Sequence, residues 1–224
     1  MQRVTLIRHG QASFGAPVYD QLSNLGQQQA RLLGQWLQHM SKPIDGLAHG
    51  TLQRQRETAE WLKPHLPLSN RVWQFSWLDE VDMQQLVNCY GASISQPEDG
   101  DDYTRWVARV RQVFQLWREQ PKAGVESFVE FTERVEQGFT GLRQQCSGCQ
   151  SLALVTSGGV IALLLLRLTE RPLCDLIDVA LPLYNTGVTE LFWNSGRWQV
   201  TTCNQISHLQ SSANQAAQHL VTRI

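Results

Sequence analysis

The chain opens on a short apolar run, Val4, Leu6 and Ile7, which reads as a buried strand ending in Arg8-His9-Gly10. A loop over 13–22 follows, with Gly15 and Pro17 inside it. Ser23 is a candidate helix N-cap, and Leu25, Ala30, Leu33, Leu37 and Met40 then recur at helical spacing until Lys42-Pro43. The pattern predicts a second strand over 44–49, a turn at Gly50-Thr51, and a second helix through Leu62 that stops at Pro64. A third strand is predicted over 71–78, leading into Asp79-Glu80.

From 81 to about 125 the strand–helix alternation breaks up. Residues 96–102 form a polar loop, and Trp106, Val110, Val113, Leu116 and Trp117 mark a helix after it. This stretch reads as a cap lying over the sheet edge. An amphipathic helix is predicted over 128–142, a buried strand over 152–156, and a helix over 160–168 entered through Ser157-Gly158-Gly159. Strands over 186–193 and 198–203 make a hairpin with its turn at Asn194-Ser195-Gly196. Such alternation predicts an α/β fold, a three-layer α/β/α sandwich with a mostly parallel sheet and a helical cap insertion, roughly 81–125, in a single domain over 1–224.

Composition narrows the partners. The 224 residues are 42% hydrophobic and 17% charged, with a formal net charge of −1, so no global field draws the chain to nucleic acid or to an anionic membrane. Anion selectivity must therefore come from clustered arginines. The first apolar run is shorter than a signal-peptide core, and the longest aliphatic block, 160–166, is closed by Arg167 and too short to span a bilayer. The expected location is cytoplasmic. Five scattered cysteines argue against a disulfide framework, and Cys146-Ser147-Gly148-Cys149 has no second pair at zinc spacing, so it reads as a loop before a strand.

Three strand ends bring Arg8-His9, Arg54 and Thr156-Ser157-Gly158-Gly159 to one sheet edge, where ligands of open α/β folds bind. A phosphoryl group needs several cations or N–H donors around its spread oxygens, and two planar guanidinium forks supply them. A neutral His9 between them is placed to attack phosphorus, and Glu80 is the candidate proton donor to the leaving oxygen. Asp82, two residues on, reads either as a second carboxylate raising the Glu80 pKa or as a solvated residue starting the cap. Arg56 lies about 200° around the helix from Arg54 and points elsewhere. Trp73, Trp77 and Trp106 read as core.

The ordered set of motifs resembles the histidine phosphatase superfamily, also called the phosphoglycerate mutase-like proteins. Leu6-Ile7-Arg8-His9-Gly10-Gln11-Ala12 resembles its signature, in which the histidine becomes a phosphohistidine. Leu22-Ser23 with Leu25-Gly26 and Gln29-Ala30 is similar to its first helix, and Thr51-Leu52-Gln53-Arg54 with Glu57-Thr58-Ala59 to the stretch carrying its second phosphate-binding arginine. Leu78-Asp79-Glu80 resembles the site of its acid/base carboxylate, Glu126-Ser127 with Phe131 and Arg134-Val135 a later helix, and Asn185-Thr186 with Val188-Thr189 the hairpin strand. Asn204 with His208-Leu209 is similar to tails of its phosphatase branch.

The resemblance implies catalytic roles for Arg8, His9, Arg54 and Glu80, with Arg8, Arg54, Ser157 and Gly158 binding phosphate. It implies a small phosphorylated substrate, no metal or cofactor, no nucleic acid or membrane partner, and a monomer or homodimer. One departure stands out: the family's last inner strand leads into a second histidine, and here Ser157 occupies that place. Losing one donor to a developing oxyanion costs about 2.7–4 kcal/mol, which argues for a slowed enzyme before a dead one. His49, where the family more often has serine, is a candidate partial replacement. A phosphatase is thus the leading expectation and a weak or inactive phospho-ligand-binding protein the alternative. A mutase ranks last, because Val81-Asp82-Met83 follows Glu80 in place of the mutases' Arg-His-Tyr-Gly run.

Overall fold

The computed structural model describes residues 1–13, 20–40, 43–69, 71–91, 102–210 and 219–223. Its sheet is built on two strands buried along nearly their whole length, β1 (Arg3–Arg8) and β4 (Ser151–Thr156), which pair in parallel from Arg3↔Ser151 to Arg8↔Thr156. Burial on both faces is why these strands read as continuous apolar runs. β2 (Gly46–His49) and β3 (Val72–Gln74) extend the parallel set, while β5 (Val188–Asn194) and β6 (Arg197–Gln205) add an antiparallel hairpin. The strand order is β3-β2-β4-β1-β5-β6. Ser195 and Gly196 both have positive φ, 50° and 83°, as a two-residue hairpin turn of the primed type requires.

Alternation along the strands fills two cores. Ile7, Leu47, Ala153, Val155 and Val188 pack against Leu33 and Leu37 of α1 (Asn24–Gln38) and Ala59 and Leu62 of α2 (Gln53–Leu62). Val4, Leu6, Ala48, Leu152, Leu154 and Leu191 belong to the larger core on the other face. That core takes in α3 (Met83–Tyr90), α4 (Asp102–Glu119), α5 (Phe128–Gln145), α6 (Gly158–Leu168) and α7 (Leu176–Ala180). A short α8 (Ser207–Gln210) sits with α1. The three-layer sandwich and its helical cap, α3 and α4, are therefore as the sequence predicts. Among the described residues no helix is long and apolar enough to cross a membrane.

Several boundaries differ. The third strand is three residues, Val72–Gln74, and Ser76–Leu78 is a turn of 3-10 helix. The last ladder bond runs from the Phe75 N–H to the His49 carbonyl at 2.9 Å, after which Trp77 and Leu78 turn into the core. Packing against α5 overrides strand propensity here. The hairpin begins at Val188, because Thr186 has φ 56° and donates its N–H to the Arg8 carbonyl at 3.0 Å. α7 and α8 had no periodic signal. Cys146 caps α5, and it and Cys149 point inward from the otherwise exposed turn before β4. Most of the predicted loop over 13–22 and nearly all of the polar loop over 96–102 lie outside the described residues.

Trp77 seats its indole directly on Gly138 of α5, where a Cβ would stand 2.1 Å from the ring. Overfilling of this kind costs about 1–3 kcal/mol. Gly138→Ala is accordingly expected to destabilise the protein by about that amount, read as a lower urea midpoint at unchanged m-value.

Candidate active site

The end of β1 is clamped from both sides before any side chain is considered. The His9 N–H donates to the Thr156 carbonyl at 2.9 Å, the Arg8 N–H to the Gly187 carbonyl at 3.2 Å, and the Asn185 amide to the His9 carbonyl at 3.3 Å. Thr186 is braced in turn by the buried His208, whose Nε2 lies 2.9 Å from the threonine hydroxyl. Arg8 is fixed by a bond from Nη1 to the Leu183 carbonyl. His9 Nδ1 lies 2.7 Å from the Gly10 carbonyl, which can only accept, so Nδ1 carries the proton and Nε2 the lone pair. That lone pair accepts from Arg54 Nε at 3.1 Å. Burial, then the Arg54 and Arg8 cations, hold the His9 imidazole well below its ordinary value, so it is neutral.

Arg54 reaches the site from the first turn of α2. Asp20 holds it there, accepting from its Nη1 at 2.5 Å and from the Gln53 N–H at 2.8 Å, and so also supplying an acceptor at the helix N-terminus. Asp79 accepts from the Thr51 N–H at 2.6 Å, which ties the segment before α2 to the segment carrying Glu80. The neighbour of Arg54, Gln55, is fully buried; its amide donates to the Leu78 carbonyl at 2.9 Å and to the Ser157 hydroxyl at 2.8 Å. Arg56 is exposed, as its helical angle implies.

Glu80 crosses to the start of α6, where its Oε2 accepts from the Gly159 N–H at 2.7 Å. Burial pushes this carboxyl up, against the opposing pull of the Gly159 N–H and of the two arginines. Asp82 is not among the causes. It instead caps α3, accepting from the Gln85 N–H at 2.9 Å, which is the bland reading of that residue. The approach at α6 demands glycine: a Cβ on Gly159 would lie 2.3 Å from Glu80 Oε1.

These groups line one cavity of about 430 Å³. Arg8, His9, Arg54, Glu80, Gly158 and Gly159 face it, together with Asp20 and Asn185. Ser157 does not line it; it sits behind Gly158, buried, with its hydroxyl turned to Gln55. His49 does not line it either, and its Nδ1 is bonded to the Gly50 carbonyl at 2.8 Å. Trp106, read from the sequence as core, packs partly on the core and also lines the cavity. Trp77 is core. Asp20, Gln55, Asn185 and Arg223 were missed, and only for Gln55, beside Arg54 on the predicted helix, was there a local signal. Arg223 arrives through the segment 219–223, which Gln29 of α1 grips at the Leu220 carbonyl (2.6 Å) and the Thr222 hydroxyl (2.8 Å). Among the described residues no three His, Cys, Asp or Glu side chains converge as a metal set.

The charge arrangement has two measurable consequences. Arg54→Gln removes a cation beside His9, so the imidazole pKa, followed by NMR titration, is expected to rise toward 6.5. His208, pushed down to about 3 by burial, is likewise neutral when folded. Below 6.5 the unfolded chain binds protons that the folded chain refuses at both histidines, so these two groups make folding stability fall as the pH is lowered, and the raised Glu80 carboxyl opposes them in part. Each histidine contributes a slope of up to about 1.4 kcal/mol per pH unit, and His208→Gln should remove one share.

Comparison with known proteins matches the same set of elements. Residues 4–206 fit the model of the histidine phosphatase superfamily, branch 1. An adenosylcobalamin/α-ribazole phosphatase of Salmonella typhi is 29% identical over 183 residues, covering 78% of this chain and 83% of that one. The structure of the α-ribazole phosphatase of Shigella flexneri superposes with a TM-score of 0.64 at 22% identity, over 91% of this chain and 96% of that one. A phosphoglycerate mutase of Bacillus anthracis superposes at 0.66 with 18% identity, over 92% and 94%. With its model matched across nearly the whole chain and its fold shared by these structures, the protein belongs to the histidine phosphatase superfamily.

Proposed function

We propose that the protein hydrolyses a small phosphomonoester through a phosphohistidine on His9. The observation that carries this reading is the neutral His9 Nε2, buried between the Arg8 and Arg54 guanidiniums in the cavity that also holds Glu80. The phosphoryl oxygens take the arginine donors, and Arg54 thereby releases Nε2. Nε2 attacks phosphorus in line, and the bond to the alcohol oxygen breaks with its electron pair on that oxygen. Glu80, whose raised pKa favours the protonated acid, gives its proton to the departing alcohol. The resulting carboxylate then takes a proton from a water that attacks phosphorus, freeing inorganic phosphate and the neutral imidazole. The names of the Salmonella and Shigella relatives make α-ribazole phosphate the first member of a substrate panel.

A second reading, a phospho-ligand-binding protein with little turnover, is favoured by Ser157. That residue stands where the family's second imidazole is expected, and its hydroxyl faces Gln55 and not the cavity. The two readings separate on one panel of phosphoesters that includes 4-nitrophenyl phosphate. On the first, wild type turns over at least one member, His9→Ala abolishes that turnover, and Glu80→Gln lowers kcat about a hundred- to ten-thousandfold and removes the acid-requiring limb of the pH profile. On the second, phosphate or vanadate raises Tm without hydrolysis of any member. Ser157→His is expected to raise kcat, by up to about a hundred- to thousandfold if the missing donor limits the rate.

A further inference from the structure

The cavity is far larger than a phosphoryl group, and its two sides differ in kind. Besides the arginine floor, the lining carries an apolar wall of Met83 of α3, Trp106, Val110 and Phe114 of α4, Ile177 of α7 and Leu181 just beyond it, with Gln84 next to Met83. Among the described residues the cations on the lining are Arg8 and Arg54, which face His9, and Arg223, whose guanidinium is bonded to the Tyr184 hydroxyl at 2.7 Å and stacked on that ring at 4.6 Å. A second strongly anionic group reaching the wall would meet side chains that cannot solvate it, and the Asp82 carboxylate beside them.

The wall is also preformed. Phe114 meets the fully buried Trp117 edge-on at 5.4 Å, so the α4 side is anchored in the main core. Above it, Trp106 stacks on Tyr103 with ring centroids 6.2 Å apart, and Tyr103 is 51% exposed. An aromatic pair thus stands at the mouth of the cavity, half in water, with the Trp106 ring on the lining. A ring placed there would gain apolar burial with little ordering of the protein.

We infer that this wall receives the alcohol part of the substrate, that the preferred class is phosphomonoesters of apolar, ring-bearing alcohols, and that Trp106 is a specificity-determining residue. The inference rests on the phosphatase reading for its mention of substrate, but the wall can be read without turnover. Methylphosphonate, phenylphosphonate and 1-naphthylphosphonate share an anionic head, resist hydrolysis and differ in apolar size. Calorimetric titration of the full chain is expected to give affinities rising by about tenfold or more from the methyl to the naphthyl compound. Trp106→Ala should abolish most of that rise and leave methylphosphonate binding unchanged, while Trp106→Phe should retain much of it.

Leu181→Gln, on the other side of the wall, makes the same test should Trp106→Ala fail to fold. Equal affinities across the series, or a rise untouched by both the Trp106 and Leu181 variants, overturns the inference. A steep series without hydrolysis of any member of the phosphoester panel upholds the wall and overturns the phosphatase reading alone. Turnover that is flat across methyl, phenyl and naphthyl phosphates, with flat binding, does the reverse. No binding of any of the three phosphonates overturns the wall, and with no hydrolysis of any panel member it overturns both.

Discussion

Two guanidiniums held beside an imidazole that must stay uncharged is the constraint on which this structure turns. Like charges repel, and each of these groups has lost much of its water, so the arrangement exists only because the surrounding chain supplies fixed acceptors. Asp20 takes one side of Arg54, the Leu183 carbonyl takes Arg8, and the Gly10 carbonyl fixes the His9 proton on Nδ1. Those acceptors come from loops on three sides of the sheet edge. The clamp on β1 by Thr156, Thr186 and Gly187 sets the distances at which they work. Burial first, and then the same two cations, keep the imidazole neutral.

A second knot joins the parts that would handle the proton. Gln55 spans from α2 to the Leu78 carbonyl and to Ser157, and Thr156 donates its hydroxyl to that same carbonyl at 2.6 Å. Leu78 immediately precedes Asp79-Glu80, so the carboxylate is held from α2 and β4 at once. The Ser157 hydroxyl is therefore one member of a bonded set. Any larger side chain there must share space with a buried amide that already ties two elements together.

Much of this was legible in the chain because the relevant signals are local. The apolar run before Arg8-His9 marks β1, Ser23 caps α1 as its position suggests, accepting from the Gly26 N–H at 3.0 Å, and Ser157-Gly158-Gly159 leads β4 into α6. What was not legible acts across long stretches of sequence. Asp20, Asn185 and Arg223 belong to no periodic pattern, and each gains its place through tertiary bonds or a gripped segment. The third strand was read too long because Phe75, Trp77 and Leu78 are apolar for the sake of α5, and a short apolar run has the same appearance whether it pairs or turns. From the sequence Trp106 reads as core, since bulk alone does not say whether a ring faces the interior or a hollow within it.

The parallel pairing of β1 has a consequence for how the molecule is made. The floor of the site belongs to β1, which leaves the ribosome long before its neighbours, residues 151–156 and 188–194. Until those segments are synthesised, Val4, Leu6 and Ile7 have an unpaired edge and no complete core around them. Order in this site is a late event of folding, reached through contacts of long sequence separation, which form slowly and leave apolar strands exposed in the meantime. A nascent chain interrupted between α2 and β5 would carry His9 and both floor arginines but lack a strand that holds β1 in place.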